Sequence, residues 1–255
     1  MFKRAAGLGM SCGALLTGCG TDPQIENKET IANLIEAGFP ADDIRVVDGA
    51  VYVGRDAQVP LEASQEMLQP GEGSAELVRT TNLVGTSVTK ICVNPTSTFN
   101  SYISLSQGLD LALANYNSLG LRITFVRGPT TGCTANITAT TMAGTGHSAG
   151  YPSGGRPYGT ITIGTGLNSY STDVNEHVVT HALGHTIGLR HTDYYDRSIS
   201  CGGEPTSEGT AGVGAIIIPG TPPATPGGSI MNTCYPPDTN GEFTSSDITG
   251  LQYLY

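Results

Sequence analysis

Asp173-Val174-Asn175-Glu176-His177-Val178-Val179-Thr180-His181-Ala182-Leu183-Gly184-His185-Thr186-Ile187-Gly188-Leu189-Arg190-His191 is the stretch on which both the fold and the chemistry turn. It holds four of the five histidines in the chain. Asp173 followed three residues later by Glu176 is a capping-box-like opening, so a helix is expected from here to about Ile187. Residues four apart on a helix share a face, which lets the imidazoles of His181 and His185 reach one ion. Gly188 at the helix end permits the left-handed backbone that turns the chain back and carries His191 to a third position on that ion. Three neutral imidazoles with one open position form the donor set of a catalytic-type zinc site.

Working outward, Thr160-Ile161-Thr162-Ile163 alternates polar and apolar as a half-buried strand does. Residues 83–255 have the length of one domain and a mixed order of signals, which reads as α+β. Strands are expected at Ser87–Val93, Leu121–Val126 and about Ala135–Thr140, and a long helix at Ser101–Ser118 with Ile103, Leu105, Leu109, Leu111 and Leu113 on one broad face. Residues 20 to about 82 read as a small separate module. It has a helix over Glu29–Ala37, ending at Gly38, and a hairpin of Ile44–Val47 and Ala50–Val53 around Asp48-Gly49. A second helix is expected over Leu61–Leu68, then a linker, Pro70-Gly71-Glu72-Gly73-Ser74. Downstream, Gly202–Gly228 reads as a long loop with one buried segment, Ala215-Ile216-Ile217-Ile218-Pro219. Asp247, with Ile248, Leu251 and Leu254 after it, opens a short terminal helix.

Composition narrows the class. Of 255 residues only 13% are charged, and Gly 35 and Pro 15 show no Gly-x-y period. A net charge of −10 and an isoelectric point near 4.8 argue against a nucleic-acid partner, which needs basic surface. No apolar run reaches the roughly 18 residues a spanning helix requires. Lys3 and Arg4 precede the apolar stretch Ala5–Leu16, of the length of a secretory signal core, which ends in Leu16-Thr17-Gly18-Cys19. That string resembles a bacterial lipoprotein signal with Cys19 as the lipidated residue. A plain signal peptide is the alternative, and both imply export. Without residues 1–18 the formal charge becomes 10 − 22 = −12, because Lys3 and Arg4 leave with them. Cys92, Cys133, Cys201 and Cys234 remain, an even number for an oxidising compartment. Cys201 with Cys234 would close the Gly/Pro-rich stretch between them, and Cys92 with Cys133 follows by elimination. A thiolate metal site is the alternative, but no Cys-x-x-Cys pair is present to build one.

The pattern His181-x-x-x-His185-x-x-Gly188-x-x-His191 resembles the zinc signature of the metzincin metallopeptidases, and Gly228-Ser229-Ile230-Met231 resembles their Met-turn, with Met231 as its methionine. The His-Ala-Leu-Gly-His string and the lipoprotein-signal-plus-prosegment layout are most similar to the bacterial dual-action HEIGH metallopeptidases. This resemblance implies a Zn2+-dependent endopeptidase with a signal at 1–18, a prosegment and linker at 19–82 and a metallopeptidase domain at 83–255. It further implies a twisted sheet and backing helix above the cleft and a small C-terminal subdomain below it. His181, His185 and His191 would hold the metal, and protein or peptide would be the substrate. A monomer is expected, exported and anchored through Cys19 or secreted. The Thr160–Ile163 strand would pair with an extended substrate. The family pattern places glutamate directly after the first histidine as general base, whereas this chain has Ala182, whose methyl group cannot accept a proton. The peptidase reading therefore carries little or no turnover in this form. A zinc-binding pseudopeptidase that captures peptides, and an envelope lipoprotein, stand as alternatives.

Lesser features have plainer readings. His177 reads as a core or hydrogen-bonded histidine and His147, in Gly146-His147-Ser148, as a loop residue. Asp193 is a candidate for supporting His191 from behind. Tyr235 is a candidate contact to a substrate oxygen. Met231 by itself would be core filler, and only its context lifts it above that.

Overall fold

The computed structural model describes residues 23–68, 77–209, 216–222 and 224–255. The export signal with Cys19, the Pro70–Ser74 linker and Ala215 lie outside the described residues. In chain order the elements begin with α1 (Pro23–Glu36), β1 (Arg45–Val47), β2 (Ala50–Val53), β3 (Ala57–Gln58), α2 (Leu61–Glu66) and β4 (Leu77–Arg79). Then come β5 (Lys90–Pro95), α3 (Ser97–Ser101), α4 (Ile103–Ser118), β6 (Thr124–Arg127), β7 (Ala135–Met142), β8 (His147–Gly150) and β9 (Thr160–Gly164). A 3-10 turn (Thr165–Ser169) leads into α5 (Thr172–Thr186), followed by α6 (Ser198–Cys201), β10 (Ile216–Ile218) and α7 (Ser245–Leu254).

One sheet runs in the order β1-β2-β3-β8-β9-β7-β5-β6. One strand in from the β6 edge, β5 buries Ile91, Cys92 and Val93 in succession, as a strand covered on both faces does, whereas β7 alternates, burying Ala135, Ile137 and Ala139. Both β5 and β6 begin three residues later than their sequence patterns suggest and end two and one residues later. They are paired with each other, Lys90 opposite Thr124, so the register moves them together. The expected helix over Ser101–Ser118 forms as α4, starting two residues later, and a short α3 precedes it. Thr96 caps α3 by accepting from Phe99 N, and Tyr102 is extended before α4 begins. Leu105, Leu109, Ala112, Leu113 and Tyr116 form the buried stripe of α4; Ile103 and Leu111 fall off it and are 68% and 40% exposed. That stripe packs on α5, and the buried Tyr116 hydroxyl donates to Thr180 O at 2.9 Å.

The N-terminal hairpin forms as expected, with Asp48 (φ 50°) and Gly49 (φ 80°) both left-handed in the two-residue turn. Its module has its own apolar cluster of Leu34, Phe39, Val51, Val53, Val59 and Met67, which Tyr151 completes from beyond β8. The module is not detached, because β3 pairs parallel with β8 (Ala57 opposite Ala149) and the sheet runs through both parts. The buried segment of the long loop is β10, which pairs antiparallel with β4 and buries Ile218. Both disulfides, Cys92–Cys133 and Cys201–Cys234, are formed as read from the sequence. No helix among the described residues is long and apolar enough to cross a membrane.

Candidate metal centre

The helix that carries the first two histidines opens one residue before Asp173. Ser171 is its N-cap, accepting from Val174 N at 3.2 Å, and Asp173 lies in the first turn. Gly188 at the helix end has φ +107°, and a Cβ there would sit 2.4 Å from Asn82 O. The chain can therefore turn back at this point only through glycine. Leu189 N then bonds back to Gly184 O at 3.0 Å, and His191 is delivered to the face that already carries His181 and His185.

Three ring nitrogens converge. His185 Nε2 lies 3.0 Å and His191 Nε2 3.3 Å from His181 Nε2. The opposite ring atoms are all engaged: His181 Nδ1 donates to Ile230 O at 2.8 Å, His185 Nδ1 to Leu189 O at 2.8 Å, and His191 Nδ1 to Glu208 Oε1 at 2.6 Å. A carbonyl oxygen can only accept, so the Nδ1 atoms of His181 and His185 carry the protons, and in the neutral rings Nε2 presents a bare lone pair. Lone pairs brought this close repel unless a cation lies between them, so the donor set fits a metal ion.

A fourth donor comes from the N-terminal module. Asp56, at the turn between β2 and β3, places Oδ2 3.1 Å from His181 Nε2 and 3.4 Å from His185 Nε2, with Oδ1 3.4 Å from His191 Nε2. The four donor atoms all lie within 4.8 Å of one another, and all four residues are buried. Oδ1 has no hydrogen-bond partner among the described residues. Burial opposes charge here, yet the surrounding His191, His185, His147 and His181 outweigh it and hold the Asp56 carboxyl well below the usual range. Burial pushes His181 well down. His191 goes well up, because Glu208 and Asp56 outweigh its burial.

The sequence readings around this centre fare unequally. Ala182 is fully buried on the same helix. Met231 lies beneath, its Sδ 2.5 Å from where a Cβ on Gly184 would be, and its carbonyl accepts from Thr192 N at 2.9 Å. Asp247 ties that turn down, accepting from Ser229 Oγ at 2.5 Å and Ile230 N at 3.0 Å. It is the third residue of α7 and closes a capping box with Thr244, so the N-cap is Thr244. His177 is hydrogen-bonded to Thr239 Oγ1 at 2.9 Å, as expected, and the Tyr235 ring packs on it at 4.7 Å, one helical turn before His181.

Three expectations are corrected. His147 is on β8 and not in a loop, with Nε2 3.1 Å from Asp56 Oδ2 and its ring 5.2 Å from that of His181. Asp193 does not back His191; it binds Thr233 N and Oγ1 at 2.9 and 2.8 Å and accepts from Ser200 Oγ, and Glu208 takes the expected place. The Thr160–Ile163 strand lies inside the sheet, between β7 and β8, so its edges are already used. Asp56 and Glu208 carried no signal in the sequence, because each is one acid in a turn or loop far along the chain from the histidines it meets.

The model of the dual-action HEIGH metallo-peptidases matches residues 51–255. No curated protein matches the chain. Among solved structures, one of myroilysin aligns at 15% identity over 70% of this chain and 97% of that one, with a TM-score of 0.44. A crystal structure of myroilysin aligns at 14% identity over 68% and 85%, with a TM-score of 0.41.

Proposed function

This chain belongs to the dual-action HEIGH metallopeptidase family, and on that premise we propose that it is a zinc metalloendopeptidase held in a latent form and stripped of its general base. The observation that carries the metal assignment is the convergence of three Nε2 atoms whose Nδ1 partners are already satisfied. His181, His185 and His191 hold the ion, Ile230 O, Leu189 O and Glu208 fix the ring orientations, and Met231 supports the helix from below. Zinc, when bound, supplies Lewis acidity to a peptide carbonyl and lowers the pKa of water to near neutrality.

Asp56 supports the latency reading. A carboxylate reaching all three imidazoles from the N-terminal module stands where a substrate oxygen would have to be. The module also covers the edge of the peptidase sheet, since β3 pairs with β8. With residues 19–82 displaced, β8 would be free to take an extended peptide as an added strand. The chemical step would remain impaired. Hydrolysis needs a group to take a proton from the attacking water and pass it to the leaving nitrogen, and Ala182 cannot; loss of such a base lowers rates by roughly 10²- to 10⁴-fold. The same alanine supports a second reading, a pseudopeptidase that retains peptide without cutting it. Export as a Cys19-anchored or secreted protein agrees with the two disulfides.

Metal analysis of the purified full chain should find one equivalent of zinc, and the Ala182→Glu form, processed within residues 69–76, should cleave casein where the Ala182 form does not. Absence of bound metal would overturn the assignment. Bound zinc with an inert Ala182→Glu form would favour the pseudopeptidase.

A further inference from the structure

The N-terminal module reaches the body through a second carboxylate. Asp43 Oδ1 lies 2.6 Å from Arg197 Nη2, and both side chains are buried, 6% and 7% exposed. Asp43 is held for this contact by Gly54 N, which donates to Oδ2 at 2.9 Å in the same turn that carries Asp56. The β2–β3 turn thus sets two carboxylates, carrying Asp56 to the imidazoles and, through Gly54 N, holding Asp43 for Arg197.

Arg197 stands close behind the third histidine. Its Nη1 is 3.9 Å from Glu208 Oε1, the oxygen that takes the proton of His191 Nδ1. Arg190 is also on Glu208, with Nη2 3.8 Å from Oε2, and its guanidinium lies 4.2 Å over the ring of Phe39 from the module. The body therefore sets two guanidiniums against one carboxylate here, and Asp43 supplies the charge that balances them. Arg197 Nε and Nη1 have no hydrogen-bond partner among the described residues, so Asp43 does not exhaust its donors. A cavity of about 540 Å³ opens beside this pair, walled by Arg197, Pro205, Thr206 and Ser207 from the body and by Pro40, Asp42, Asp43, Arg45 and Arg55 from the module. When the module leaves, Arg197 and Arg190 keep Glu208 as a shared carboxylate, and the body side of that space is left one negative charge short. Two guanidiniums on one carboxylate are unfavourable, so the site favours a substrate that brings a second.

Building on the peptidase reading, we propose that Arg197 is a specificity-determining residue of the processed protein, forming a subsite for an acidic side chain of the substrate, with Asp43 as its occupant in the latent form. Glutamate or aspartate at one fixed position relative to the scissile bond replaces Asp43 on the guanidinium.

The test uses the full chain, folded and then cut within residues 69–76. The Ala182→Glu form is given a proteome-derived peptide pool, and its cleavage sites are read by mass spectrometry. Glu or Asp should be enriched at one position, and a peptide with Glu there should exceed its Gln counterpart about tenfold in kcat/KM. Arg197→Gln should bring the ratio of kcat/KM for the Glu and Gln peptides to about one, whatever the absolute rates, and Arg197→Lys, which keeps the charge if the Gln form does not fold, should keep part of the preference. A readout without turnover uses the Ala182 form and the same two peptides carrying fluorescein: anisotropy should show about tenfold tighter binding of the Glu peptide. Cleavage with no acidic enrichment, equal binding of the two peptides, or a preference that survives Arg197→Gln overturns the subsite and leaves the peptidase reading standing. A zinc-loaded, processed Ala182→Glu form that neither cuts nor binds any peptide overturns both.

Discussion

A carboxylate behind a metal-binding imidazole raises the basicity of the ring and fixes its direction, and Glu208 does this for His191 at 2.6 Å. Replacing Glu208 by Gln keeps the shape and removes the charge, so zinc affinity measured by chelator competition should fall roughly 10- to 100-fold. Asp56 is a test of a different kind. Its replacement by Ala should change the absorption spectrum of the cobalt-substituted protein, because one oxygen donor is lost; an unchanged spectrum would show that the carboxylate is not on the ion. Further along the same helix, burial pushes Glu176 up to about 7, with Asn115 opposing through a 2.7 Å hydrogen bond to Oε1. A raised carboxyl leaves its full stabilisation in place below about pH 4.5, the ordinary value, and loses it as pH climbs through about 7. Glu176→Gln should therefore be near neutral in Tm at pH 5 and stabilising at pH 8; equal effects at both would contradict the shift.

At the scale of elements, the placement of three ligands depends on how α5 ends. Gly188→Ala would put a methyl at φ +107° and 2.4 Å from Asn82 O, so a loss of at least about 1–3 kcal/mol is expected, together with loss of bound metal. The two effects should appear together, since the turn that strains is the one that carries His191. The segment below the three imidazoles is held by Asp247 from α7, by Asp193 through Thr233, and by Cys201–Cys234. Cys201→Ser with Cys234→Ser should lower stability by about 2–4 kcal/mol in denaturant melts. These elements were legible in the sequence to different degrees. The alternation of Thr160–Ile163 and the turn at Asp48-Gly49 are local patterns and appear where expected. Ser171 as cap, the break at Tyr102 and the joint displacement of β5 and β6 depend on partners elsewhere, and local pattern could not supply them.

For the whole molecule, the decisive feature is that the N-terminal module and the rest of the chain share a sheet. The β3–β8 pairing, the Asp43–Arg197 ion pair, Tyr151 in the cluster of the module and Asn82 Nδ2 bonded to both Ala63 O and Pro152 O all cross between them. With no substrate present, a cut within residues 69–76 should therefore leave the two pieces together, co-eluting in size-exclusion chromatography at neutral pH, until a protein or peptide competes for the imidazoles and Arg197. Asp43→Asn with Asp56→Asn should let them separate, because the buried Arg197 and the imidazoles would lose the charges that meet them. Co-elution of the double variant would place the binding energy in the apolar cluster and the strand pairing instead.

The three-histidine centre could be read from residues 181–191 alone because a helix and a glycine turn impose its spacing within eleven residues, and no distant contact is needed to bring the rings together. Ala182, next to His181 on the same helix, can be read from the same eleven residues. Asp56, His147 and Glu208 were not, since each meets the imidazoles across 34 or more residues, or 17 for Glu208, and only strand pairing and loop packing bring them in. Local geometry wrote the three converging imidazoles into the chain; which carboxylates surround them, and which strands stand beside them, follows from how the sheet closes around them.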